Sequence, residues 1–264
     1  MQGARFDPAA KIALITGGGT GIGRGIALAL ARRGAHVALV GRRAAPLLAT
    51  ADEVLALGMN ALPIPLDITD GAAGKGLLPA VRAGLGGLDI LVHSAGVLAG
   101  GPLATQDAAA VAAAIATNLT AAIDLTRLAQ AELMERRGAL VFVGSAMAFV
   151  PLPHAALYAA SKAGQRGFAQ AIRYEMEPAG VRVLFAAPPG TATAMLEQTR
   201  AALPRTPFYR LEDPERAGER IVAALVAGRK TLLWGGERWL IGLHRLAPQW
   251  VERVLMRVRS RFVW

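Results

Sequence analysis

The feature that most constrains the fold of this chain is a regular alternation of short apolar runs with helical segments over its first 190 residues. Each apolar run has the length of a buried strand, and the segment after it carries apolar residues at helical spacing. Parallel strands need long crossover connections, so this alternation predicts a parallel sheet with helices on both faces. Right-handed crossovers make this an α/β, Rossmann-like doubly wound fold. The predicted strands are 11–16, 36–41, 61–67, 88–96, 139–145 and 181–188, and the predicted helices are 22–33, 46–57, 107–136 and 157–177.

The carboxyl-terminal part of the chain differs in charge from the rest. Residues 228–264 hold eight basic and two acidic side chains, a net +6 of the +10 carried by the whole chain. From Leu243 onward apolar residues recur at helical spacing, and arginines fall on another side. We therefore expect one domain over 1–227 and a basic amphipathic helical extension over 228–264. Residues 243–264 favour either peripheral membrane contact or docking on the core or on a second subunit. Nucleic-acid binding is not expected, because no recognised motif accompanies the charge.

The composition excludes several kinds of site. There is no cysteine, so no disulfide, thiolate nucleophile or thiolate metal site can form. The four histidines lack the spacing of metal ligands, and no metal site is predicted. The first residues carry charges and lack the apolar stretch of a signal peptide, which favours a cytoplasmic location. The basic tail leaves membrane association open.

Glycines cluster in residues 16–23, TGGGTGIG, between the first predicted strand and the first predicted helix. Glycines here let the backbone turn sharply and approach a pyrophosphate, while the helix N-terminus offers free N–H groups and the positive end of its dipole. The alternative is a purely structural glycine turn. The expected dinucleotide contacts are Gly17, Gly19, Thr20, Gly21, Ile22 and Gly23.

The end of the second predicted strand distinguishes NADP from NAD. NAD enzymes often place a carboxylate there for the ribose 2′-hydroxyl, but this chain has Gly41, Arg42 and Arg43. A guanidinium suits the 2′-phosphate of NADP, with Arg42 the first candidate and Arg43 the second. Alternatively, both arginines are solvated charges at a helix start. Asp67, followed by Ile68, ends the third strand and could accept a hydrogen bond from adenine or simply cap a turn.

Four polar residues indicate acid–base chemistry. Tyr158 and Lys162 are four apart, so they share one face if their segment is helical. A nearby ammonium group stabilises a phenolate and lowers the tyrosine pKa towards neutrality. Ser145 ends a predicted strand, where its hydroxyl could bind a substrate carbonyl oxygen. Asn118 lies inside the long alanine-rich helix and could hold a local distortion or a water molecule.

Together these residues resemble the short-chain dehydrogenase/reductase family over about residues 10–195. The glycine motif of the family matches Thr16, Gly17, Gly21 and Gly23, and its catalytic residues match Asn118, Ser145, Tyr158 and Lys162. Its Pro-Gly motif after the sixth strand matches Pro189 and Gly190, with Thr191 or Thr193 available for the nicotinamide amide.

The resemblance implies an NADP(H)-dependent exchange of a carbonyl and an alcohol. In that scheme Tyr158 protonates the developing alkoxide and Ser145 stabilises it. Lys162 lowers the tyrosine pKa and binds the nicotinamide ribose, and Asn118 helps to hold a water that feeds protons to Lys162. The resemblance also implies a homodimer or homotetramer.

Two segments depart from the family pattern. The family usually has Asn-Asn-Ala-Gly after the fourth strand, where this chain has His93, Ser94, Ala95 and Gly96. The backbone of residues 94–96 can still line the adenine ribose, but the bonds of the missing asparagine side chain must be replaced. The segment after Gly190 is one residue shorter than in common versions, which leaves the choice between Thr191 and Thr193 open.

For the substrate pocket, the sequence predicts only that the lining is apolar. Residues 146–152 are apolar, and residues from about 195 to 212, with Leu196, Leu203 and Phe208, form a predicted lid. This favours a hydrophobic ketone, aldehyde or alcohol, such as a lipid-, steroid- or 3-oxoacyl-like compound. Alternatively, these side chains pack against the core or another subunit. The alternative function is a catalytically idle NADP-binding sensor or scaffold that acts through the basic tail.

Overall fold

The computed structural model describes residues 5–193 and 211–261, and these contain one parallel sheet of seven strands. Its order is β3-β2-β1-β4-β5-β6-β7, so the chain switches direction across the sheet between β1 and β4. In open α/β sheets, ligands bind in the crevice at such a switch point, beyond the carboxyl ends of the strands. The predicted doubly wound fold is confirmed. The strands are β1 (Ile12–Thr16), β2 (His36–Gly41), β3 (Ala61–Pro65), β4 (Ile90–His93), β5 (Ala139–Val143), β6 (Arg182–Ala187) and β7 (Thr231–Leu233).

Helices cover both faces of the sheet. Neighbouring residues of β1 point to opposite faces: Ala13 and Ile15 join one apolar cluster, Ile12 and Leu14 the other. A single wider turn over Ala116–Thr120, of π-helical form, joins α4 to α5. The helices of the described residues are α1 (Gly21–Ala31), α2 (Ala44–Ala56), α3 (Gly71–Leu85), α4 (Ala108–Ile115), α5 (Ala121–Glu135), α6 (Ala156–Met176), α7 (Pro214–Val226), α8 (Gly235–Leu246) and α9 (Pro248–Val258).

The helix α7 holds the start of α1 in place through a close backbone contact. A Cβ atom on Gly218 would lie 2.2 Å from the carbonyl carbon of Gly25, and one on Gly25 would lie 2.4 Å from the carbonyl oxygen of Pro214. Two glycines therefore let the helix backbones touch. Because α1 starts at the glycine-rich turn, this contact also fixes that turn.

The carboxyl-terminal part corrects the sequence prediction. The single helix expected from Leu243 onward is two helices, because Pro248 has no N–H to continue α8 and instead begins α9. The strand β7 lies beyond residue 227, so the sheet extends into the segment expected to be an extension. Trp234, at the end of β7, is buried. The lid expected at about 195–212 lies almost wholly in residues 194–210, outside the described part of the chain.

The helical stretch Ala108–Glu135 is long and apolar enough by composition to cross a bilayer. This is weak evidence for a membrane span. Its buried Leu125, Ala129 and Leu133 pack into the apolar cluster on one face of the sheet. The stretch is therefore explained as helices that cover one face of the sheet in the α/β fold.

Candidate active site

A cleft of ≈ 920 Å³ opens beyond the carboxyl ends of the central strands. It lies at the switch point between β1 and β4 and reaches the start of α6. Apart from Asn118, every residue predicted to contact cofactor or substrate oxygen lines this cleft. These are Gly17, Gly19, Thr20, Gly21, Ile22, Gly23, Arg42, Arg43, Asp67, Ile68, Ser94, Ala95, Gly96, Ser145, Tyr158, Lys162, Pro189, Gly190, Thr191 and Thr193.

The glycine-rich turn forms the floor of one half of the cleft. Gly17 and Gly21 have φ angles of 69° and 55°, which side chains rarely adopt. A Cβ atom on Gly23 would lie 2.2 Å from the carbonyl oxygen of Gly17. The helix α1 starts after Thr20 with no side-chain cap and no acidic residue in its first turn. The first backbone N–H groups of α1 are therefore suited to donating hydrogen bonds to a phosphate.

Thr16 fastens this floor to the loop that follows β4. Its Oγ1 atom accepts hydrogen bonds from the backbone N–H groups of Ser94 and Ala95, both at 3.1 Å, and donates to the carbonyl of Val92 at 3.3 Å. The strand predicted over 88–96 accordingly ends at His93. Beyond it, residues 94–96 line the cleft instead of continuing the sheet.

Basic side chains stand at the end of the cleft where the sequence predicts the adenosine part of a cofactor. Arg42 and Arg43 follow β2, are exposed, and form no ion pair within the described residues. Asp67 accepts hydrogen bonds from the backbone N–H of Thr69 at 2.9 Å and from its hydroxyl at 2.7 Å. These bonds, chiefly the backbone one, lower the pKa of Asp67, and the charge of Arg42 adds to the effect. One carboxylate oxygen of Asp67 is thus engaged in a turn.

The side chains predicted to be catalytic, Ser145, Tyr158 and Lys162, all line the other part of the cleft. Tyr158 and Lys162 stand one turn apart on α6, with Lys162 Nζ 6.0 Å from the centre of the Tyr158 ring. Lys162 is 4% exposed, and burial lowers its pKa to about 8. Ser145 follows β5, where its Oγ accepts from the N–H of Met147 at 3.2 Å, so its own proton remains available to a ligand.

Comparison with known proteins agrees with this geometry. The profile of the short chain dehydrogenase family matches residues 11–204. The chain belongs to the short-chain dehydrogenase family. It is 38% identical over 189 residues to a short chain dehydrogenase of Pseudocercospora fijiensis, a match that covers 70% of this chain and 61% of that protein. It is 35% identical over 220 residues to the 3-oxoacyl-[acyl-carrier-protein] reductase of Escherichia coli, covering 83% of each.

A solved structure extends the likeness to the fold. A short chain dehydrogenase from Burkholderia cenocepacia, crystallised in complex with NADP, matches with a TM-score of 0.76 and 31% identity. The match covers 86% of this chain and 97% of that one. As a member of the short-chain dehydrogenase family, this chain is an oxidoreductase that acts on CH–OH donors with a nicotinamide cofactor.

The departure of this dehydrogenase at His93 is compensated inside the fold. His93 Nε2 lies 2.8 Å from Thr126 Oγ1, whose own proton is donated to the carbonyl of Ala122 at 2.7 Å. Nε2 must therefore be the donor in the His93–Thr126 bond. The imidazole also stacks on Phe142, with ring centres 5.0 Å apart. The lost asparagine bonds are thus replaced by a buried link from β4 to α5.

Asn118 lies in the wider turn between α4 and α5 and not on the cleft lining. Its Oδ1 accepts from Val97 N–H at 2.8 Å, and its Nδ2 donates to Val97 O at 2.9 Å and to Ser161 Oγ at 3.0 Å. The side chain therefore fixes the loop after β4 against α6. The predicted local distortion at this residue is present as the π-helical turn.

Several residues of the dehydrogenase site were not found from the sequence. Buried Gln165, on α6, links Lys162 to Asn118, but a glutamine in a helix gives no signal by itself. The helix α8 contributes Gly236, Glu237, Leu240 and Ile241 to the cleft, a contact that depends on the tertiary packing of the tail. Of the two threonines left open, Thr191 donates to Pro189 O at 3.0 Å, whereas Thr193 lies beside Gly21.

Replacing His93 with asparagine should make folding less sensitive to acid. Burial, and secondarily the charge of Lys162, lowers the pKa of His93 to about 3. An unfolded histidine binds a proton near pH ~6.5, so the unfolded state holds more protons between these values and wild-type stability falls as the pH drops. Urea unfolding at about pH 7 and about pH 5 should show a loss about 1–2 kcal/mol smaller in His93→Asn. Equal losses in both proteins would contradict a neutral buried His93.

Proposed function

We propose that this protein is an NADP(H)-dependent reductase or dehydrogenase that interconverts a hydrophobic ketone or aldehyde and the corresponding alcohol. The observation that carries the proposal is the placement of Ser145 and Tyr158 on one cleft, with the buried ammonium group of Lys162 beneath Tyr158. The free helix N-terminus at the opposite end of the same cleft gives the phosphates of a dinucleotide a place to bind.

The polar side chains divide the chemistry between them. Bound NADPH would supply hydride to the carbonyl carbon of the substrate. The Tyr158 hydroxyl transfers its proton to the developing alkoxide oxygen, and Ser145 donates a hydrogen bond to the same oxygen. The ammonium group of Lys162 stabilises the phenolate that remains on Tyr158. In the reverse direction the phenolate is the base that removes the alcohol proton.

Preference for NADP(H) is supported by charge at the end of β2. The cleft there is lined by Gly41, Arg42 and Arg43, and a carboxylate is absent from these positions. A guanidinium forms charge-assisted hydrogen bonds with a 2′-phosphate, which NADH lacks.

A hydrophobic substrate is supported by the lining around Ser145. Apolar side chains predominate there, although Thr117 and Glu237 also line the cleft, and the hydroxyl groups of Ser145 and Tyr158 are the proposed donors to the substrate oxygen. A pocket of this kind holds apolar ligands and orients them by a few polar groups. The apolar lining residues are Val97, Leu98, Ala146, Met147, Val150, Leu152, Leu240 and Ile241.

Members of this family commonly assemble into oligomers, and we extend this to a homodimer or homotetramer here. The helix α4 supports it, since Ala109, Ala112 and Ala113 are exposed and offer a flat apolar surface.

Residues 243–264 are proposed to contact a membrane. The idle-sensor alternative keeps no specific support, because Ser145, Tyr158 and Lys162 are all present in the cleft.

The variant Tyr158→Phe should lose catalysis and keep its cofactor. Removing the hydroxyl removes the proton donor, so kcat should fall about a thousandfold. Affinity for NADPH, measured by fluorescence titration, should stay at the wild-type value. A panel of apolar ketones assayed with NADPH provides the rates, and Tyr174→Phe, an exposed position on the same helix, is the control. Full activity in Tyr158→Phe would refute the assigned acid, and tight NADPH binding with no turnover of any ketone by wild type would favour the idle sensor.

The variant Arg42→Ala should weaken NADPH binding selectively. Loss of a charge-assisted hydrogen bond to the 2′-phosphate should raise the Kd for NADPH about 10- to 100-fold. The Kd for NADH should change little, because NADH has no such phosphate. Arg127→Ala, on the exposed side of α5, is the matched control. Equal weakening of both cofactors by Arg42→Ala would exclude the phosphate role.

A further inference from the structure

The helices α8 and α9 expose large apolar side chains, which we call the tail surface. On α8, Trp239, Leu243 and Leu246 stand at i, i+4 and i+7 and so share one face, opposite the buried Ile241. Trp239 is 84% exposed and Leu246 87%. On α9, Trp250 is 55% exposed, while the buried Val251 packs with Ile241 and Val150. One side of this helix pair is therefore docked on the core and the other presents tryptophan and leucine to the outside.

Unpaired positive charge accompanies the tail surface. The arginines of α8 and α9 form no ion pair with a carboxylate of the described residues. Over 235–261 the acidic residues are Glu237 and Glu252, and Glu237 lines the cleft. A surface that combines tryptophan, leucine and arginine fits the interface of an anionic bilayer, where apolar side chains enter the acyl boundary and guanidinium groups meet phosphates. The arginines in question are Arg238, Arg245, Arg253 and Arg257.

A second cationic group points to the same partner. Arg166 of α6 donates to the carbonyl of Ala148 at 2.8 Å and lies over the Phe149 ring at 4.4 Å. Burial lowers the pKa of Arg166, and the positive charge of Arg245 lowers it further. Neither Arg166 nor Arg245 forms an ion pair with a carboxylate of the described residues, so a nearby anion would stabilise both guanidinium groups.

The tail surface adjoins the mouth of the active-site cleft. Gly236, Leu240 and Ile241 line the cleft, and Leu240 is next to Trp239 and one turn before Leu243. We propose that the tail surface docks this protein on an anionic phospholipid bilayer with the cleft mouth facing the lipid, so that a lipophilic carbonyl or alcohol substrate enters from the bilayer. The docking deepens the membrane contact proposed above and does not depend on the proposed catalytic activity, whereas the delivery of substrate rests on that activity.

Vesicle flotation of the full chain tests the docking. The protein should float with phosphatidylcholine vesicles that contain phosphatidylglycerol, and should stay behind with phosphatidylcholine alone or in high salt. Each arginine near an anionic surface contributes about fivefold to partitioning. Arg245→Gln/Arg253→Gln/Arg257→Gln should therefore bind about a hundredfold more weakly, while the charge-matched Lys75→Gln/Arg127→Gln/Arg216→Gln should bind like wild type.

The apolar contribution needs its own pair of variants. Trp239→Ala/Leu246→Ala should bind about tenfold more weakly or worse, and Leu48→Ala/Leu55→Ala, exposed leucines on α2, should not change binding. Absence of flotation with anionic vesicles would overturn the proposal. So would a wild-type oligomer that Trp239→Ala/Leu246→Ala dissociates without any vesicle binding, since the tail surface would then join two copies of the chain.

Single-cysteine labelling tests the orientation and needs no substrate. The natural chain has no cysteine, so Leu240→Cys, Leu246→Cys and Leu55→Cys can each carry one environment-sensitive fluorophore. Anionic vesicles should shift the emission of the labels at 240 and 246 and leave the label at 55 unchanged. An emission shift of the label at 246 without one at 240 would place the cleft mouth away from the lipid and overturn the proposed orientation. Docking without turnover of any carbonyl compound would instead count against the proposed function.

A separate observation concerns Gln165. Lys162 Nζ donates to Val143 O at 2.9 Å and to Gln165 Oε1 at 3.3 Å, and Gln165 Nε2 donates to the carbonyl oxygen of Asn118 at 3.2 Å. Gln165 is 1% exposed and Asn118 fully buried. Because an ammonium group only donates and a carbonyl only accepts, both neighbours fix the same orientation of the amide.

We infer that Gln165 is a positioning residue whose amide joins Lys162 directly to the Asn118 carbonyl, whereas the family resemblance implies a water, held with the help of Asn118, that feeds protons to Lys162. Its carbonyl oxygen stabilises the charged form of Lys162, which otherwise suffers from burial. Without that bond Lys162 loses its proton more readily, and the pKa of Tyr158 rises because less positive charge stands beside the phenolate.

Ultraviolet difference titration of Tyr158, referenced to Tyr158→Phe, tests this without cofactor or substrate. Gln165→Met fills the space without a hydrogen bond and should raise the titration midpoint by about one pH unit, a tenfold change. Gln165→Ala leaves room for a water and should fall between Met and wild type. Gln130→Met is the matched control on α5, away from Lys162. Unchanged midpoints in folded Met and Ala variants would show that Gln165 only supports packing, and would overturn the inference.

Discussion

A buried ammonium group is the constraint around which the rest of the site is arranged. Removing the charge of Lys162 from water is costly unless acceptors replace the lost hydration. The end of β5 supplies one through the carbonyl of Val143, and α6 supplies another through Gln165. Gln165 in turn needs the carbonyl of Asn118, which the wider turn between α4 and α5 presents. Strand order, the helical distortion and the pairing of Tyr158 with Lys162 are therefore coupled parts of one polar arrangement.

The same edge of the sheet shows which parts of the structure local sequence can predict. Features that depend on a short window of residues could be predicted. These are the strands β1 to β6, the glycine-rich turn and the Tyr158–Lys162 spacing. The helices α3 and α7 were not predicted. Four glycines and Pro79 obscure the helical pattern of α3, which forms because Leu77 and Val81 are buried against the sheet. The signal for α7 was present, since Asp213 caps it and Pro214 occupies its first turn.

Long-range contacts account for the remainder. His93 and Thr126 are 33 positions apart, and Gln165 and Asn118 are 47 apart. Neither pair can be recognised before the sheet has brought the residues together. The departure from the family at His93 could be read from the sequence as a missing set of hydrogen bonds, but the partner that restores them could not. Buried polar groups at this position still have hydrogen-bond partners, although the residues that form these bonds differ from those of the family pattern.

The tail shows how a helix can serve the cleft and the outside at once. A helix that lined the cleft with one side and met water with the other would carry polar residues on its outer face. The helix α8 instead places Trp239 and Leu246 there, with unpaired arginines beside them. Exposure of such large side chains costs free energy in water, and a partner that covers them offsets that cost. Because Leu240 belongs to both the cleft rim and this apolar side, any partner that covers the tail surface also borders the entrance to the active site. Substrate access and partner binding are therefore governed by the same turn of α8.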